Sequence, residues 1–217
     1  LNLAIIKTPI AVLISGTGSN LQALIDFQDK AGYQIELVIS NRPDALGLVK
    51  AKNAGIKTVS LDHKSFPDRS SFDQEMIKTL DQYKIELIVL AGFMRILTAE
   101  FTEHFLGKMV NIHPSLLPKY QGLNTHQRVL EANDSEHGLS IHFVTAELDG
   151  GPIIQQVSFK VQANDTIESL NTKIKLLEHK YLPSIVDKLA QGEISFANNK
   201  IVIKTPSLTP VIINETI

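Results

Sequence analysis

Asn111 and His113 stand two apart in the run Met109-Val110-Asn111-Ile112-His113-Pro114-Ser115-Leu116-Leu117-Pro118. On an extended chain that spacing points both side chains to one side. Pro114 keeps His113 out of helical geometry, so the pair falls at the end of an apolar strand. An amide beside an imidazolium can hold a developing oxyanion, and a carboxylate that sets or relays the ring's protons would complete the group. Asp149, in Leu148-Asp149-Gly150-Gly151-Pro152, is the candidate. The plainer readings are a satisfied strand-end histidine and a turn aspartate before glycine.

Gly16-Thr17-Gly18-Ser19-Asn20 is the second place where residue types suggest chemistry. It lies between an apolar run and an amphipathic stretch. Glycines there let backbone amides and a helix start approach an anion, which suits a mononucleotide phosphate. Leu21 stands where a dinucleotide fingerprint has its third glycine, so that motif is absent. The alternative is a tight turn with Ser19 as helix N-cap.

The remaining histidines read more plainly. His63 and His104 look like surface residues, and His179 lies on a long helix. His126 falls near a helix start and His137 in a polar loop. His142, between Ile141 and Phe143, faces either core or cleft. Their spacing shows no HExxH-like metal set.

Strands are expected at residues 9–15, 35–40, 57–61, 85–91 and 109–113, then at 138–145 and 153–161. Helices are expected from Leu21 onward, then at 45–54, 70–83, 99–105, 125–133 and 166–189, the last broken or bent at Pro183. The tail, 194–217, carries short strand-like pieces that form an edge hairpin. This alternation predicts an α/β fold: a single-domain, doubly wound, mainly parallel sheet with an antiparallel C-terminal edge. Ligands of such sheets bind at the carboxyl ends of the strands, where His113 lies.

The 217 residues suffice for one core, and no repeat or low-complexity linker divides them. With 21 basic and 23 acidic residues the net charge is −2, and no basic block argues for nucleic acid. Cysteine is absent, which removes disulfides and thiolate chemistry. No apolar run approaches the length of a membrane span, and residues 1–7 lack the pattern of a signal peptide.

Residues 111–118 and 148–152, taken together, resemble the folate-dependent formyltransferases. Ser15-Gly16-Thr17-Gly18-Ser19-Asn20-Leu21-Gln22, Ala91-Gly92-Phe93-Met94-Arg95-Ile96-Leu97 and Lys119-Tyr120 extend the likeness toward the small purine-pathway branch, in order, from about residue 10 to 190. The resemblance implies formyl transfer from 10-formyltetrahydrofolate, as co-substrate, to the amine of glycinamide ribonucleotide. It carries Asn111, His113 and Asp149 over as the catalytic trio. Gly18, Ser19 and Asn20 would hold the nucleotide phosphate, with Glu178 and Lys175 near the same substrate. Arg69, Met94, Arg95, Ile96 and Leu97 would contact folate, joined by Asn111 and by Thr145, Ala146, Glu147, Leu148 and Asp149. A phosphate-binding half at about 10–110 and a catalytic, folate-binding half at about 111–195 would form one domain, with a tail at 196–217. A cytoplasmic monomer or homodimer, acting on small molecules without metal, nucleic acid or membrane, is implied. Gln121 and Asn124 depart from the family's usual proline and histidine. Two rivals remain: another formyl-folate enzyme (a deformylase or a tRNA-directed transferase), and a nucleotide-binding module without catalysis.

Overall fold

A computed structural model describes residues 6–198, 200–204 and 212–217. Residues 1–5, part of the stretch read for a signal peptide, and 205–211, part of the tail, lie outside the described residues. The first half alternates as expected: β1 (Thr8–Ile14), α1 (Ser19–Phe27), β2 (Tyr33–Ser40), α2 (Leu46–Asn53), β3 (Lys57–Ser60), α3 (Arg69–Gln82), β4 (Leu87–Leu90), α4 (Ala99–His104) and β5 (Met109–His113). Then follow α5 (Thr125–Glu131), β6 (Glu136–Phe143), β7 (Ile153–Lys160), α6 (Ile167–Ala190), β8 (Ile194–Ala197), β9 (Lys200–Ile203) and β10 (Ile212–Glu215).

Eight strands form one sheet in the order β10-β7-β6-β5-β4-β1-β2-β3. The pairings from β3 to β5 are parallel; β6 runs antiparallel to both β5 and β7. The outermost strand, β10, is parallel to β7. The tail hairpin exists, as β8 against β9, but it forms its own two-stranded sheet rather than the edge.

Both faces of the sheet are covered, and β1 shows why its sequence is a continuous apolar run. Ile10, Val12 and Ile14 join one core with Leu21, Leu24, Ile174 and Leu177 of the flanking helices. Ala11 and Leu13 point the other way, toward Phe72, Met76, Leu80 and Phe101. A strand buried on both faces cannot alternate apolar with polar. Of the two expectations at Pro183, a break or a bend, the break is absent: helix α6 runs through Pro183 without ending. Thr166 and Ser169 make a reciprocal capping box at its start. Among the described residues, no helix is long and apolar enough to cross a membrane.

The order places β1 between β4 and β2, so the chain leaves β1 toward one side and later returns on the other. That reversal opens a crevice at the strands' carboxyl ends.

Candidate active site

A cavity of about 600 Å³ occupies this crevice. Its walls come from the ends of β1 (Ser15 to Asn20), β2 (Asn41, Arg42), β4 (Ala91, Gly92, Met94, Arg95) and β5 (Ile112, Pro114), with Lys175 and Glu178 from α6.

The glycine turn forms one wall. Gly18, not Ser19, is the N-cap of α1, and its φ of 68° is left-handed. The expected side-chain cap is therefore replaced by a backbone solution. Packing demands the same residue: a Cβ on Gly18 would sit 2.6 Å from the Cα of Gly47 in α2. Gly16 differs, since a Cβ there would meet nothing within 4 Å. Asn20 donates from Nδ2 to Glu178 Oε2 at 3.0 Å, joining α1 to α6 beside the cavity. Burial raises the Glu178 carboxyl above its ordinary range, and the Asn20 bond and the charge of Lys175 oppose that shift. Asn20 Oδ1 is buried with no partner among the described residues.

Asn111, His113 and Asp149 converge on one another at the end of β5; none of the three is in the cavity wall, to which this strand end contributes Ile112 and Pro114. His113 Nδ1 lies 3.4 Å from Asp149 Oδ2, with the two side chains 7% and 9% exposed. The other ring nitrogen, Nε2, donates to the Tyr120 carbonyl at 2.9 Å. Asn111 Nδ2 approaches Asp149 Oδ1 at 3.4 Å, and the Gly122 amide donates to Asp149 Oδ2 at 2.9 Å. Asp149 adopts φ 50°, a left-handed backbone uncommon for a non-glycine residue. Gly151, two residues on, lies so close to the end of β6 that a Cβ would stand 1.9 Å from the Phe143 carbonyl. The Asp-Gly-Gly segment is thus laid tightly onto β6, which carries the carboxylate to the end of β5.

His142 is buried against Asn111, outside the cavity wall. It is 2% exposed, sits directly opposite Asn111 in the β5–β6 pairing, and approaches Asn111 Nδ2 with Nε2 at 3.1 Å. Its Nδ1 faces the Phe143 carbonyl at 2.9 Å. Burial pushes its pKa down, against the Phe143 bond and the charge of Asp149. His137 lies in β6 rather than in a polar loop; it is buried against Phe159 and 2.8 Å from His126. Burial, aided by His126, takes its pKa to about 4.

The remaining expected site residues fall as follows. Gly18, Ser19, Asn20, Lys175, Glu178, Met94 and Arg95 line the cavity. Arg69 is exposed at the start of α3; Ile96 and Leu97 follow Arg95; Thr145, Ala146, Glu147 and Leu148 lie on the loop that carries Asp149. None of these seven is in the cavity wall. Met94, Ile96 and Leu148 are exposed apolar side chains.

Sequence reasoning missed Ser15, Asn41 and His63 as cavity residues. Ser15 Oγ donates to Asn41 Oδ1 at 2.6 Å and accepts from the Met94 amide at 2.7 Å, tying the glycine turn to the 92–98 loop. The signal was available, because Ser15 and Asn41 each follow a parallel strand's last residue.

Comparison with known proteins gives consistent matches. The formyl transferase family matches residues 8–186. Phosphoribosylglycinamide formyltransferase of Escherichia coli is 46% identical over 192 residues, covering 88% of this chain and 91% of that protein. The human trifunctional purine biosynthetic protein adenosine-3 is 44% identical over 195 residues, 89% of this chain but 19% of that protein. Among solved structures, phosphoribosylglycinamide formyltransferase from Coxiella burnetii in complex with CHES superposes with a TM-score of 0.87 at 48% identity, covering 91% and 93% of the two chains. Glycinamide ribonucleotide transformylase 1 from Symbiobacterium toebii gives 0.88 at 36% identity, over 94% and 97%.

Proposed function

The chain belongs to the formyl transferase family, and on that premise we propose that Asn111, His113 and Asp149 are the group at which it passes a formyl unit from 10-formyltetrahydrofolate to the amine of glycinamide ribonucleotide. The reaction is a step of purine biosynthesis, as the names of its relatives indicate. The observation that supports the residue assignment is the convergence of the trio at the end of β5, whose Ile112 and Pro114 line a cavity walled elsewhere by the anion-type turn. The exposed Met94, Ile96 and Leu148 suit the apolar rings of a folate, and the backbone amides of Gly18 and Ser19, at the N-terminus of α1, suit a phosphate.

The substrate amine attacks the formyl carbon, forming a C–N bond while the carbonyl oxygen becomes negative. Asn111 Nδ2 and a ring N–H of His113 donate to that oxygen; such donors contribute roughly 3 kcal/mol each. Asp149 orients the ring and neutralises the positive charge it carries as a donor. His113 Nε2 is engaged by the Tyr120 carbonyl, so donation from this nitrogen requires substrate to displace that bond. Collapse breaks the bond to the folate nitrogen, and the proton lost by the amine is returned to that nitrogen, by way of Asp149 or a water it holds. Each atom is accounted for without a covalent enzyme intermediate.

Incubation of the protein with both substrates, following deformylated folate, tests this. Turnover dependent on glycinamide ribonucleotide is expected. Folate deformylation that proceeds equally without the amine would favour the hydrolytic rival.

A further inference from the structure

His142 is used by nothing in that mechanism, yet it is more deeply buried than the trio. The Phe143 carbonyl is an obligate acceptor, so His142 Nδ1, 2.9 Å away, carries the ring's hydrogen. A neutral ring bonded in that way has a bare lone pair on Nε2. That lone pair faces Asn111 Nδ2 at 3.1 Å. Only the nitrogen end of the Asn111 amide can satisfy it; a flipped amide would set oxygen against lone pair. The pairing is fixed by the backbone, since Asn111 and His142 are direct antiparallel partners whose side chains share a face.

We propose that His142 is a positioning residue: its unprotonated Nε2 accepts one amide hydrogen of Asn111 and so aims the other at the reacting oxygen. The inference rests on the reading of Asn111 as a donor to that oxygen. Among the described residues the second amide hydrogen has only Asp149 Oδ1 at 3.4 Å, a long contact that a substrate oxygen can replace. Burial and the Phe143 bond hold the ring in one tautomer. Among the described residues two charged or titratable groups face it, Asp149 at 3.7 Å from Nε2 and His113 beyond. An ordinary packing histidine would not need its hydrogen on a stated nitrogen.

The test compares His142→Leu, His142→Gln, Asn111→Ala and the double variant His142→Leu/Asn111→Ala in kcat and in both KM values. Glutamine keeps an acceptor near the Nε2 position and leucine does not. His142→Leu is expected to lower kcat about tenfold with KM values within about twofold, because misaimed donors act on the transition state. His142→Gln should recover most of that loss. In the Asn111→Ala background the leucine change should matter little. Losses that multiply in the double variant, or a glutamine variant as slow as leucine, would overturn positioning and leave the donor role of Asn111 standing. An Asn111→Ala variant with undiminished kcat would overturn both. Should the leucine variant not fold, ring-nitrogen NMR of the wild-type protein decides: hydrogen on Nδ1 is expected at neutral pH, and hydrogen on Nε2 would overturn the proposal.

Discussion

The glycine turn after β1 and the trio around His113 lie at the same end of the sheet but are held in opposite ways. The turn is a backbone device, made by the junction of a parallel strand with the helix that follows it. Its specification is local: a left-handed residue at Gly18 and close approach by Gly47. The trio is a side-chain device at the junction of the parallel and antiparallel parts of the sheet. Every member is already bonded to protein, Asn111 to His142, His113 to Tyr120, and Asp149 to the Gly122 amide. Under the proposed function, the first receives a ligand without rearranging, whereas the second exchanges internal bonds for substrate bonds and so is expected to act on turnover rather than on affinity.

The largest effect should come from His113→Ala. Loss of one oxyanion donor lowers kcat by roughly 100- to 1,000-fold, with KM values within about threefold. A variant that binds weakly but turns over normally would erase the distinction between the two regions.

The antiparallel side should also set the response to acid. His137 titrates at about 4 in the folded chain against 6.5 as a free group. The unfolded chain therefore binds the extra proton. This contribution to stability is fully present above about pH 6.5 and is lost as pH falls toward 4, by about 3 kcal/mol. Denaturant titrations across that window should show the decline, and His137→Gln should flatten it.

Gly18→Ala and Gly16→Ala sharpen the comparison inside the turn itself. Alanine at Gly18 meets both a left-handed φ and the Gly47 backbone, which should cost roughly 2 kcal/mol in a denaturation midpoint. At Gly16 the added methyl meets no protein atom, so stability should change by less than about 0.5 kcal/mol. Asn20→Ala, which leaves the Glu178 carboxylate without its amide partner, should raise KM for the phosphorylated amine about tenfold and leave kcat and the folate KM nearly unchanged. An effect confined to folate would move the phosphate site elsewhere.

Much of the fold was legible because parallel strands buried on both faces leave unbroken apolar runs, as at β1 and β4. The amide, the ring and the carboxylate were legible as types, from their strand-end and turn settings and from a family resemblance. His137 was misread as a loop residue because its neighbours Asp134, Ser135 and Glu136 are polar, while its burial comes from Phe159 across the strand pair.

By itself the sequence determined the elements, their order and the local turn chemistry, since periodicity, glycine and proline act within a few residues. Tertiary structure alone decided that β6 lies antiparallel to β5, with His142 opposite Asn111, and that the Asp149 loop folds back onto that strand end. Strand order and register are set by packing between segments distant in the chain, and no local spacing records them.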